Sequence, residues 1–180
     1  MVLITVGGLP GSGTTTTCRL LKEKLGLDYV YAGQIFRDLA RENGMTLGEF
    51  GRYCEDHPEV DRELDARQLE LMHSGDMIVE GRLSGWLAQE NDISALTVWL
   101  WAPVDVRAKR LVNREGGDPG ERRQEMLERE FSEAKRYKSF YGVDIDDQTI
   151  YDLVIHTEDR PPEQVVEAIL AALEDKRGEL

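Results

Sequence analysis

The segment Gly8-Leu9-Pro10-Gly11-Ser12-Gly13-Thr14-Thr15-Thr16 follows a short apolar run, VLITV, and leads into an amphipathic one, CRLLKEKLG. From Gly8 it fits the phosphate-loop pattern G-x-x-x-x-G-K-[ST] at every position but one, with Thr14 standing where the pattern has lysine. A glycine-rich turn between a buried strand and a helix offers successive backbone N–H groups and a helix N-terminus to an anion. Gly8, Gly11 and Gly13 supply backbone freedom, and Thr15 the hydroxyl that would touch Mg²⁺. With the lysine absent, the charge that holds phosphate must come from elsewhere.

Arginine is the natural source. Its planar fork donates two parallel hydrogen bonds to phosphate oxygens and stays charged at working pH. Arg107, Arg110 and Arg114 fall at i, i+3 and i+7, and Arg122, Arg129 and Arg136 are spaced seven apart, so each set shares a helical face. The alternative is a solvated face with ordinary pairs such as Glu125 with Arg129, and that reading is preferred for Arg122 and Arg123. Arg37, in AGQIFRDLA, and Arg82, in EGRLSGW, each follow a strand, where open α/β sheets bind ligands. Glu80 would orient metal-bound water or the attacking phosphate, or else pair with Arg82. Asp61, Asp65 and Gln68 lie at i, i+4 and i+7, a row that reads first as a solvated face and second as a reader of a nucleobase edge.

These residues need a frame. Strand signals at about 2–6, 28–31, 76–80, 95–101 and 151–155 alternate with helical patterns, which predicts a parallel sheet covered by helices. LTVWLW is apolar on both faces, so Trp99 and Trp101 are expected in the core. Residues 33–74 are too long for a simple crossover and predict a helical insert that holds a second substrate over the sheet edge. REGGDPGERR, about 114–123, interrupts two arginine-rich helices and reads as a small hinged lid. Pro161-Pro162 opens the last helix.

The chain of 180 residues is expected to form one domain, and its net charge of −13 argues against nucleic-acid or membrane partners. With 16 Arg, 6 Lys and scattered acids, the composition fits a salt-rich cytoplasm, where charge repulsion is screened over about 3 Å near 1 M salt. No apolar run approaches the ~20 residues needed to span a bilayer, and a soluble cytoplasmic monomer is expected. Cys18 and Cys54 have neither metal nor disulfide spacing and are read as packing residues. His57, His73 and His156 are read as structural or exposed.

GGLPGSGTTTT, AGQIFRDLA, MTLGEFGRYCEDHPEVDRELDARQ, EGRLSGW, VRAKRLVNRE, REFSEAKRYKSFYGVDIDD and YDLVIHT together resemble the nucleoside-monophosphate kinases, specifically the archaeal-type cytidylate kinases. The resemblance spans essentially the whole chain. It implies an α/β P-loop fold whose five-stranded parallel sheet has the order 2-3-1-4-5, with a nucleotide-binding insert and a lid. It also implies transfer of the γ-phosphoryl group of ATP to CMP or dCMP with Mg²⁺, in pyrimidine metabolism. Residues Gly8 to Thr16 would cradle ATP, and Arg37 and Arg82 would hold the acceptor phosphate. Arg110, Arg114, Arg129 and Arg136 would clamp phosphates, Asp61, Arg62 and Asp65 would hold the nucleotide or its base, and Thr15 and Glu80 would face the metal. Thr14 is the departure from the loop pattern. The alternatives are another small-molecule or nucleotide kinase of this fold, or a nucleotide-binding module that lost catalysis with its lysine.

Overall fold

The computed structural model describes residues 2–178. Five strands, β1 (Leu3–Gly8), β2 (Asp28–Tyr31), β3 (Met77–Glu80), β4 (Leu96–Trp101) and β5 (Leu153–His156), form one parallel sheet of order β2-β3-β1-β4-β5. Eight helices connect or follow them: α1 (Thr14–Leu25), α2 (Ala32–Glu42), α3 (Leu47–Asp56), α4 (Pro58–Ser74), α5 (Ser84–Glu90), α6 (Val104–Glu115), α7 (Pro119–Tyr141) and α8 (Pro162–Gly178). The expected strands and their order are all present.

Apolar side chains on both faces of β1, β3 and β4 drive the layering. On one face Ile4, Val6, Val98 and Leu100 pack with Cys18 and Leu21 of α1 and with Val166 and Ile169 of α8. On the other, Leu3, Met77 and Val79 meet Met72 of α4 and Ala88 of α5. Trp99 is buried against Tyr151, their ring centroids 5.1 Å apart, whereas Trp101 is only partly buried.

The insert is three helices, α2 to α4, with a small core of Phe36, Ala40, Phe50 and Cys54. Thr46 caps α3 through a reciprocal box with Glu49, and Pro58 sits in the first turn of α4. Both cysteines are buried and free.

The interruption expected over 114–123 is shorter than that. Arg114 and Glu115 still belong to α6, and Asp118 already caps α7 by accepting from the N–H groups of Gly120 and Glu121. Only Gly116 to Asp118 connect the helices, and the reversal uses positive φ at Gly116 (72°) and Gly117 (94°), which a side chain would strain. α7 then runs along the insert, fastened to it by Arg136 with Asp61 and by Lys135 with Glu55.

Candidate active site

β1 runs to Gly8, and a Cβ there would lie 2.4 Å from Ser12 Oγ and 2.7 Å from the Leu100 carbonyl, so only glycine permits this close approach. The chain turns back through Ser12 N–H, which donates to the Leu9 carbonyl at 3.1 Å. α1 then begins after Gly13 with no side-chain cap and no acid in its first turn. Its N–H groups and dipole are therefore directed at whatever anion enters the loop.

The loop stands between two pockets. One is lined by Gly8, Leu9, Pro10 and the insert, and the other by Ser12, Gly13 and Thr16 together with Arg110, Thr157 and Arg160. Gly11, Thr14, Thr15 and Arg114 line both. A group bound on one side of the loop is therefore within reach of a group bound on the other.

Glu80 closes the floor. Its Oε1 accepts from Thr14 at 2.6 Å and from Thr15 at 2.7 Å, and Oε2 accepts the Tyr29 hydroxyl. Burial and this bond to Glu80 push the Tyr29 pKa up, so the phenol stays protonated and donating. Glu80 and Arg82 are not paired with each other. Arg82 forms its ion pair with Glu133 of α7, whose other oxygen accepts from Arg129 Nε at 3.0 Å.

On the insert side Arg37, Arg82 and Arg129 converge on one pocket. Arg37 donates to the Tyr31 hydroxyl at 2.8 Å. Burial, and after it the nearby charges of Arg82 and Arg37, push the Arg129 pKa down to about 9. Arg82 is lowered mainly by burial as well. Arg114 has its side chain half exposed and is paired only with its neighbour Glu115 at 2.5 Å, so it remains able to turn toward either pocket.

Other arginines have structural tasks. Arg107, expected on the same phosphate-facing row, is buried, paired with Glu130, and donates to the carbonyls of Ala102 and Pro10 at 3.0 and 3.1 Å. Arg110 lines the second pocket but spends its donors on the carbonyls of Gly11, Ser12 and Thr157, holding the loop from behind. Arg136 is 2% exposed and bonded to Asp61, Ser132 and the Gly51 carbonyl. Arg122 pairs with Glu125 and Arg123 with Asp105, and neither lines a pocket beside the loop. Glu125 pairs with Arg122 instead of the anticipated Arg129.

The row Asp61, Asp65 and Gln68 corrects the preferred reading of the sequence. All three are buried and line the insert pocket, because α7 covers the α4 face that composition marks as polar. Arg62, one residue away, points to solvent and lines none of these pockets. The histidines stay outside the pockets: His57 stacks on Tyr53, and His73 bonds the Leu69 carbonyl. Nothing in the sequence pattern singles out Tyr29, Tyr31 or Tyr141. For Glu133 the usable signal is its i, i+4 spacing from Arg129, with which it pairs.

Thr15 Oγ1 and the Glu80 carboxylate form a set of hard oxygen donors beside the loop, which fits Mg²⁺. No helix among the described residues is long and apolar enough to cross a membrane.

A model of the cytidylate kinase-like family matches residues 3–159. The chain is 46% identical to the cytidylate kinase of Methanocaldococcus jannaschii over 97% of this chain and 98% of that one. It is 49% identical to the cytidylate kinase of Pyrococcus furiosus, over 96% and 88% of the two chains. A gluconokinase from Sinorhizobium meliloti superposes with a TM-score of 0.62 at 18% identity, covering 97% and 92% of the two chains. Shikimate kinase from Acinetobacter baumannii, in complex with shikimate, gives 0.60 at 16% identity, covering 98% and 94%. These two structures share the fold.

Proposed function

The chain belongs to the cytidylate kinase-like family, and from that premise we propose that it transfers the γ-phosphoryl group of ATP to CMP or dCMP, yielding ADP and the cytidine diphosphate. The observation that carries the reading is the loop with a pocket on each side, one of them lined by Arg37, Arg82 and Arg129. ATP lies on the α1 side, its phosphates on the N–H groups of Gly11 to Thr16. The acceptor lies under the insert, its phosphate held by Arg37 and Arg82 and its base toward α4.

An acceptor phosphate oxygen attacks the γ-phosphorus in line while the bond to the β-phosphate oxygen breaks, leaving ADP. Such transfer needs positioning and charge stabilisation more than covalent help from the protein. Arg129 and Arg114 supply that charge where the loop lacks lysine. Arg110 and Arg107 keep the loop in shape. Mg²⁺ would be held by Thr15 and Glu80, and would supply charge neutralisation for the phosphates. The acidic, lysine-poor surface supports work in a salt-rich cytoplasm as a monomer.

The test is ADP release from ATP·Mg²⁺ with CMP, dCMP, UMP, AMP or no acceptor, each at low and molar KCl. Preference for CMP and dCMP is expected, strongest in high salt. ATP binding without turnover of any acceptor would overturn the reading.

A further inference from the structure

Gln68 carries a polar atom that the fold leaves without a partner. The residue is 4% exposed, its amide nitrogen donates to Asp65 Oδ1 at 3.0 Å, and its carbonyl Oε1 bonds to nothing. Buried acceptors are nearly always satisfied, so this one calls for a ligand. Oε1 looks onto Gly81, where a Cβ would lie 3.0 Å away, next to Arg82 and inside the acceptor pocket.

A glutamine amide can present either end. Here Asp65 decides, because a carboxylate only accepts and so holds the amide NH₂. Asp65 is fixed in turn by the Tyr141 hydroxyl, which donates to Oδ2 at 2.5 Å. One turn earlier Asp61 is held by Arg136 at 2.8 Å. The α4 face therefore meets the pocket with acceptors.

We propose that Gln68, locked by Tyr141 through Asp65, selects a pyrimidine carrying a 4-amino group and refuses one carrying a 4-oxo group. The proposal deepens the phosphotransfer reading and rests on it. Cytosine brings an N–H donor to Oε1. Uracil brings a carbonyl oxygen, which leaves two buried acceptors facing each other. Gln68 touches the base, whereas Asp65 and Tyr141 are positioning residues.

The experiment compares kcat/KM, with ATP·Mg²⁺, for CMP, UMP and the CMP analogue that carries hydrogen at ring position 4. Wild-type protein should use UMP and the analogue roughly 100-fold or more less well than CMP. Gln68→Leu should bring CMP down to the level of the analogue while moving UMP only a few-fold. Asp65→Asn gives Gln68 an amide that can donate to Oε1, so Gln68 can turn its NH₂ to the pocket. Its CMP:UMP ratio should fall by about tenfold or more.

Thermal melting establishes that each variant is folded. If a variant does not fold, the wild-type arm decides: an analogue that reacts as fast as CMP overturns the proposal. CMP turnover with an unchanged CMP:UMP ratio in both variants overturns it too, and leaves the phosphotransfer reading standing. Absence of turnover with every acceptor in the wild type overturns both.

Discussion

Thr14 donates its hydroxyl to Glu80 over 2.6 Å, so the residue at the lysine position of the phosphate loop is engaged with an acid on β3. A lysine there would meet the same carboxylate and compete with a divalent cation for it. The loop is thus built around a shared acceptor, with Thr14, Thr15 and Tyr29 all donating to one side chain.

Replacing these hydroxyls should have unequal effects. Thr14→Val leaves Glu80 two donors and is expected to lower kcat by roughly tenfold, the low end of the scale for one hydrogen bond to a charged group. Thr15→Val removes a donor and a metal-facing oxygen together, and is expected to lower kcat by roughly 100-fold and raise the Mg²⁺ requirement. Titration of kcat against Mg²⁺ checks both, and equal effects would contradict the assignment.

Arg129 and Arg136 should separate function from stability. Arg129→Ala removes a guanidinium that lines the acceptor pocket and is expected to cut kcat by roughly 100-fold or more with little change in melting temperature. Arg136→Ala strands the buried Asp61 and is expected to cost about 3–5 kcal/mol of stability besides any loss of rate. Stopped-assay kinetics and urea melts on the same preparations distinguish them. Wild-type kcat in folded Arg129→Ala would exclude it from the site.

Arg107 offers a purely structural comparison. Arg107→Ala leaves Glu130 without its buried partner and should cost about 3–5 kcal/mol, a fall of roughly 10 °C in Tm for a chain of this size. Replacing both partners, as Arg107→Met with Glu130→Leu, should recover much of that loss. Calorimetry measures both.

Asp65 should leave a signature in the pH dependence of stability. Burial pushes its carboxyl up to about 6, with the Tyr141 bond opposing and the Asp61 charge adding to the rise. Below an ordinary Asp pKa of about 4 both folded and unfolded forms hold the proton. Between about 4 and 6 the unfolded chain releases it while the folded one keeps it. Stability therefore falls as pH rises through that window, by up to about 3 kcal/mol, and is level above it. Asp65→Asn lacks this fall. Urea denaturation of both proteins from pH 4 to 7 should show the difference between them drifting in favour of Asn by about that amount, and parallel curves would contradict the assignment.

The sheet was legible because its strands are short β-rich runs set between longer periodic segments, and the loop because glycine spacing is tied to backbone geometry. Arg37, Arg82 and Arg129 stood out by their places after strands and on one face of a helix, and all three line one pocket. Asp61, Asp65 and Gln68 misled, since a polar row under a second helix has the same composition as one in water. Met72 was the available clue. It extends the row Asp61, Asp65, Gln68 by four residues, and all four are buried. Arg107 and Arg110 share a helical face with Arg114, but periodicity cannot say that loop carbonyls and Glu130 claim the first two.

α7 is one unbroken helix of 23 residues from Pro119 to Tyr141. Along it stand the arginine that lines the pocket under the insert, the glutamate paired with Arg82, the clasp to the insert and the tyrosine that holds Asp65, at positions 129, 133, 136 and 141. Their angular phase is set by the helix alone, about 100° per residue. The protein uses α7 as a graduated rod, and losing a single residue between Arg129 and Tyr141 would rotate part of the site away from the rest. A substitution in α7 removes one of these contacts, whereas an insertion or deletion shifts all those beyond it together.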